Sequence, residues 1–283
     1  MNLVLGTAQF DEKYGINRIK KKLSFKSKKK IISFLKKNKI NTIDTASNYK
    51  NAEYDLGKIG IKKFNIITKI PKLKKKFEIK EQLFSYIFNS LTKLRIKKIH
   101  ALLIHDIRDL DKKNKFEYLN FLKYLKKKKI VKKIGISIYN FKDLNKIIKF
   151  WTPDIVQLPY NIFDRRIENK PFLNMVKKYR IEIHARSIYL QGLLVQKSKN
   201  KKFKKWEKLF NEWFLWCKQN HIKPFEAAYL FVKKNSNIKK IIIGVDDIAQ
   251  LNKITKIKRK IDKFPKFNCK DRKLLNPYNW NNL

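Results

Sequence analysis

The stretch NKINTIDTASNYKNAEYDLGKIG, residues 38–60, decides how the rest of the chain is read. A short β-type run from Ile40 to Ile43 stops on a carboxylate, Asp44. A phenol follows at Tyr49, and the chain then takes helical periodicity. Taken alone, this is a strand, a turn-forming Asp and a loop Tyr. The same order of short apolar run, polar end and amphipathic stretch recurs along the chain. Further β-type runs fall at 3–7, 65–68, 101–104, 133–137, 155–158, 181–185 and 240–243, beside the one at 42–44. Amphipathic stretches with apolar residues at helical spacing lie between them, at 79–94, 116–125 and 144–150.

Strand–helix alternation implies a parallel sheet covered on both faces. Eight strand candidates in 283 residues predict an α/β fold of one kind, a single (β/α)8 TIM barrel. No G-x-G-x-x-G follows the first strand, which argues against an open dinucleotide-binding sheet. No Pro-, Gly- or Ser-rich linker divides the chain. The expected organisation is a barrel over residues 1–260, with an Asn- and Pro-containing tail, 261–283, laid over one of its faces.

The formal net charge of +47 suggests a polyanion partner. However, Lys, Ile, Asn, Phe and Tyr abound together while Gly and Pro number seven each. The abundant set has AT-rich codons, and the lysines are spread along the chain without a basic tail. Compositional bias accounts for this better than a dedicated nucleic-acid surface; salt-sensitive adhesion to polyanions is still expected. No apolar run reaches the length of a membrane span, and the first residues lack a signal peptide's basic start. Cys217 and Cys269 match no metal or redox spacing, so a cytoplasmic location without a metal site is expected. In FKKWEKLFNEWFLWCKQN, residues 203–220, Phe203, Trp206, Phe210, Trp213 and Cys217 form one helical stripe. That is a core face rather than a base-stacking platform.

A parallel barrel gathers function at the carboxyl ends of its strands. In chain order those ends carry Gly6 and Thr7; Asp44 with Tyr49 beyond it; Lys69; His105; Ser137; Gln157; Arg186 with Ser187; and Gly244. His100 opens its strand and belongs to the opposite end. Each residue is ordinary by itself. Acid, phenol, amine and imidazole on consecutive strand ends form a coherent set. An ammonium beside a phenol stabilises the phenolate, a carboxylate holds the ammonium charged, and an imidazole can position a carbonyl oxygen. Asp44, Tyr49, Lys69 and His105 are thus the parts of a general acid for carbonyl reduction. No side chain donates hydride, so a nicotinamide or flavin cofactor is required.

With these residues in place, the chain resembles the aldo-keto reductase superfamily. IDTASNYKNAEYDLG resembles that family's Asp-Thr-Ala…Tyr…Glu…Leu-Gly segment, and ITKI and LLIHD its lysine and histidine strands. IGIS, VQLPYNIFDRR, HARSIYLQGLL and IIIGVDDIAQL are similar to its later strands and loops, in family order, over residues 3 to 257. The opening LGTAQF…YGIN is similar to a bacterial subgroup associated with surface carbohydrates. The resemblance implies NADPH, with NADH as the alternative, and neither metal nor flavin. It implies Tyr49 as proton donor, tuned by Asp44 and Lys69, with His105 orienting a small carbonyl substrate such as a sugar derivative. Gly6 and Thr7 would border the nicotinamide ribose, and Ser137 and Gln157 would hold the carboxamide. Arg186 stands where many members stack an aromatic ring. Ser187, Leu190, Gln191 and Gly192 in one loop, and Gly244, Val245, Asp246 and Gln250 in another, would hold the pyrophosphate and adenosine end.

The chain also departs from the family's pattern. Ile138 replaces a common Asn, Lys50 a common Gly and Ile188 a Pro. Asp246 and Asp247 would repel a 2′-phosphate, while Lys253 would attract one. A cofactor-binding sensor with little turnover is the alternative function. Phe10, Tyr14, Tyr160, Tyr278, Trp280, Arg108 and Arg165 are candidates for substrate contact. The sequence leaves the oligomeric state open.

Overall fold

The structure, a computed structural model, describes residues 2–10, 23–74, 77–110, 115–197, 200–267 and 269–282. Eight strands, β1 (Leu3–Gly6), β2 (Thr42–Asp44), β3 (Asn65–Ile70), β4 (Ile99–Ile104), β5 (Val131–Ser137), β6 (Ile155–Pro159), β7 (Glu182–Arg186) and β8 (Ile238–Gly244), form a closed parallel barrel in sequence order. β1 closes it by pairing with both β2 and β8. Helices lie between the strands: α1 (Phe25–Lys37), α2 (Ala52–Ile59), α3 (Ile79–Leu94), α4 (Lys115–Lys127), α5 (Phe141–Ile148), α6 (Lys170–Lys178), α7 (Glu207–Gln219), α8 (Pro224–Lys234) and α9 (Ile248–Thr255). This is the expected (β/α)8 TIM barrel.

Two apolar clusters hold it together. The larger lies between strands and helices, where Ile32, Leu56, Leu83, Leu122 and Leu144 meet the outer face of the sheet. The smaller is Ile67, Ala101, Leu103 and Ile155. Period-two alternation turns these four inward, so they form a layer inside the barrel. Two residues further along their strands, the same face presents Lys69, His105 and Gln157 at the carboxyl mouth. Below the layer the interior is polar: Lys133 pairs with Glu182 at 2.5 Å, and His184 lies 3.6 Å from the same carboxylate.

α2 sits very close to α3. A Cβ on Gly57 would come within 2.0 Å of the Lys93 carbonyl oxygen, so only glycine permits the approach. Buried Glu53 fixes the same seam by accepting from Thr68 Oγ1 at 2.6 Å and Ser90 Oγ at 3.0 Å. The stripe from Phe203 to Cys217 is buried, although the chain enters it through a 3-10 turn over Lys201–Trp206. Beyond residue 260, Leu274, Leu275 and Trp280 are buried, and Phe203 meets Trp280 edge-on at 5.1 Å. Among the described residues no helix is long and apolar enough to cross a membrane, and no group of three or more His, Cys, Asp or Glu is placed to hold a metal ion.

Candidate active site

β2 ends at Asp44 and β3 delivers Lys69 beside it. Lys69 Nζ is 2.5 Å from Asp44 Oδ1 and donates to the Thr45 carbonyl at 2.8 Å. Both side chains are almost wholly buried, 2% and 5% exposed, so neither charge has water to fall back on. The other carboxylate oxygen is also engaged. Gln157, reaching across the mouth from β6, donates from Nε2 to Asp44 Oδ2 at 2.7 Å. Sequence reasoning gave Gln157 only a cofactor contact; the structure adds this bond to the acid.

Tyr49 rides on a loop pinned to β3. Ser47 donates to the Lys69 carbonyl from its backbone at 3.3 Å and from its hydroxyl at 3.0 Å. The Tyr49 backbone is then fixed between Ala46 and Ala52. Lys69 Nζ lies 5.5 Å from the centre of the Tyr49 ring, and the His105 ring meets that ring edge-on at 6.3 Å. The four residues singled out from sequence therefore converge.

Burial pulls the Lys69 pKa below its ordinary value, opposed by Asp44. The His105 pKa is pushed down to about 3, first by burial and then by the positive charges of Lys69 and Arg186. His105 is consequently a neutral imidazole at neutral pH, with one nitrogen to donate and one to accept.

Arg186 ends β7 with its guanidinium 4.0 Å from the centre of the Tyr139 ring. It donates to the Ile138 carbonyl at 3.1 Å and to Ser187 Oγ at 3.4 Å. Tyr139 has no expected role, and nothing in its sequence spacing marks it.

A cavity of about 410 Å³ runs from Asp44, Tyr49, Gln157 and Arg186 at the mouth, past Gly6 and Thr7, toward Ser187, Gln191, Gly192, Gly244, Asp246, Gln250 and Lys253. Of the other expected cofactor contacts, Ser137, Leu190 and Val245 are buried and do not line it. At its far end the lining residues Ser187, Gln191 and Gly192 have left-handed φ values of 55°, 52° and 98°, as does the buried Leu190, at 45°. Nothing would meet a Cβ on Gly192 within 4 Å. The turn is closed on itself, with the Leu190 N–H donating to the Ser187 carbonyl and the Gly192 N–H to the Tyr189 carbonyl, each at 2.9 Å. Opposite it α9 begins, with Asp247 accepting from the Gln250 backbone at 2.9 Å. Gln9 reaches over from the β1 loop to Asp246 at 3.3 Å and lies against Gly244, where a Cβ would come within 1.6 Å of its oxygen. An amide and a guanidinium at one end, and a helix N-terminus and Lys253 at the other, fit an elongated phosphorylated cofactor.

The candidate substrate contacts lie elsewhere. Phe10, Tyr160 and Trp280 are buried in packing and do not line the cavity. The Tyr160 hydroxyl donates to Glu168, and the Trp280 indole to the Leu274 carbonyl. Arg165 pairs with Glu168, and exposed Arg108 with Asp106. Tyr14 and the Tyr278 side chain lie outside the described residues.

Comparison with known proteins accords with this geometry. Residues 2–265 match the model of the Aldo/keto reductase family. The chain belongs to the aldo/keto reductase family. Membership makes it an oxidoreductase of a family that acts on small-molecule carbonyls, generally with nicotinamide cofactors. An aldo-keto reductase of Bacillus halodurans, solved in its holo form, superposes with a TM-score of 0.71 at 17% identity, covering 89% of this chain and 85% of that one. A Pseudomonas aeruginosa protein assigned as an aldo-keto reductase superposes with a TM-score of 0.66 at 18% identity, covering 89% and 87%. At such identities the likeness is one of fold. No curated protein matches the chain.

Proposed function

We propose that this aldo/keto reductase reduces an aldehyde, ketone or sugar carbonyl to the alcohol, with Tyr49 as general acid and NADPH, or NADH, as reductant. The observation that supports this most is the buried Lys69–Asp44–Gln157 network set against the Tyr49 ring. A nicotinamide cofactor, when bound, supplies the hydride. Gln157, Arg186, Ser187, Gln191, Gly192, Gly244, Asp246 and Gln250 are the cavity residues that would hold it.

The chain's own groups do the rest. Tyr49 gives its phenolic proton to the carbonyl oxygen as negative charge grows there. Lys69, kept cationic by Asp44, stabilises the phenolate left behind. Gln157 fixes the Asp44 carboxylate in the orientation that holds Lys69. Neutral His105 donates a hydrogen bond that positions the carbonyl oxygen without repelling Lys69. General acid catalysis of this kind contributes roughly 10²–10⁴-fold in rate. The resemblance of LGTAQF…YGIN to the carbohydrate-associated subgroup supports a carbohydrate-derived substrate.

Tyr49→Phe tests the assignment. NADPH oxidation, followed across a panel of aldehydes, ketones and sugars, should fall at least ~100-fold, with cofactor affinity nearly unchanged. Retention of most activity would show that another group delivers the proton. Stoichiometric cofactor binding with no turnover by the wild type would make the chain a binding protein instead.

A further inference from the structure

Arg186 brings an unbalanced charge to the mouth of the cavity. Of the carboxylates lining that cavity, Asp44 is matched by Lys69, and Asp246 is offset in number by Lys253. Among the described residues no carboxylate pairs with Arg186. Its guanidinium cannot easily turn away, because it is stacked on Tyr139 and bonded to the Ile138 carbonyl and Ser187. Its field reaches both groups that flank Tyr49, lowering the proton affinity of Lys69 and of His105. Glu53 acts on Lys69 in the opposite sense, but more weakly than Arg186. It does so from behind the barrel wall, where it is tied to Thr68 and Ser90.

A hydride donor must lie within ~3–3.5 Å of the carbon it reduces. A ring that serves a carbonyl held by Tyr49 therefore occupies the mouth that Arg186 lines. The nicotinamide ring is neutral when reduced and carries one positive charge when oxidised, while the rest of the cofactor is the same in both forms. The part of any affinity difference that is lost when the Arg186 charge is removed thus reports the charge the ring meets. We propose that Arg186 makes this cavity discriminate between the redox states of its cofactor, holding the neutral reduced ring more tightly than the cationic oxidised one. The inference rests on the cleft's being a nicotinamide site. Two like charges sharing a partly hydrated cavity repel enough to change an equilibrium constant roughly tenfold.

The test is equilibrium titration of the full chain with NADPH and with NADP⁺, followed by quenching of intrinsic fluorescence and needing no turnover. The same titrations are run with NADH and NAD⁺. The wild type should bind the reduced form about tenfold more tightly than the oxidised. Arg186→Lys should keep that preference, and Arg186→Gln should remove most of it, chiefly by tightening NADP⁺. Equal wild-type affinities, or an unchanged ratio in Arg186→Gln, would overturn the proposal while leaving the cleft a cofactor site. If the wild type bound none of the four nucleotides, the cofactor reading itself would fail, and this proposal with it. Should Arg186→Gln not fold, Arg186→Met is titrated in its place, with the same loss of preference expected and an unchanged ratio overturning the proposal.

Discussion

Replacing Lys69 with Met removes the ammonium and keeps most of the side chain's bulk. Asp44 then loses its partner at 2.5 Å and retains only the Gln157 amide, while the Thr45 carbonyl loses its donor at 2.8 Å. With both charged groups at most 5% exposed, water cannot replace what is lost. Breaking a buried pair in this way costs about 3–5 kcal/mol. Unfolding entropy of ~2.1 cal/mol/K per residue over 283 residues makes each kcal/mol worth roughly 1.7 °C, so Lys69→Met should melt about 5–8 °C below the wild type. Asp44→Asn combined with Lys69→Met removes both buried charges of the pair. It should recover at least half of the loss, because a neutral site carries no desolvation penalty. Both variants should be catalytically dead. Thermal unfolding by circular dichroism and NADPH oxidation measure the two effects separately. A single variant melting within about 1 °C of the wild type, or a double variant no more stable than the single, would refute the argument from an uncompensated carboxylate.

Gln157→Leu should lower the melting temperature by less than Lys69→Met, since one charge-assisted hydrogen bond is worth about 1.5–3 kcal/mol; the same melting curves check it. Three histidines are held neutral by burial: His105, pushed down to about 3, His100, to about 4, and His184, also lowered. The unfolded chain binds their protons first, so stability should fall as pH drops from 6.5 toward 4, with Glu53, raised by burial, offsetting part of the loss. Melting temperature against pH measures this slope, and His105→Asn should make it shallower. Gly57→Ala should cost about 1–3 kcal/mol by forcing α2 off the Lys93 carbonyl, read as a shifted urea midpoint.

The barrel was legible because eight short apolar runs recur with amphipathic stretches between them, and because strand ends share one mouth by topology. The strand limits were less legible. β3 runs on through Lys69 to Ile70, where the ladder to β4 still pairs Lys69 with Leu103 and Ile70 with Ile104. Hydrogen bonding carries such a strand past the end of its apolar run. The convergence of Asp44, Tyr49, Lys69 and His105 could be read from topology alone. The Gln157–Asp44 bond could not, because it joins positions 113 residues apart through side-chain rotamers. The candidate substrate contacts could not be told from packing residues for a related reason: aromatic residues on loops and in the tail read alike whether they face a cavity or a core. Phe10, Tyr160 and Trp280 are buried in packing.

The loop that carries Tyr49 runs directly into α2, and α2 is locked to α3 by the glycine contact and by Glu53. Neither helix lines the cavity. The position of the Tyr49 side chain is therefore inherited from a joint on the outside of the molecule. Substitutions along that joint can retune turnover while every residue at the mouth stays the same.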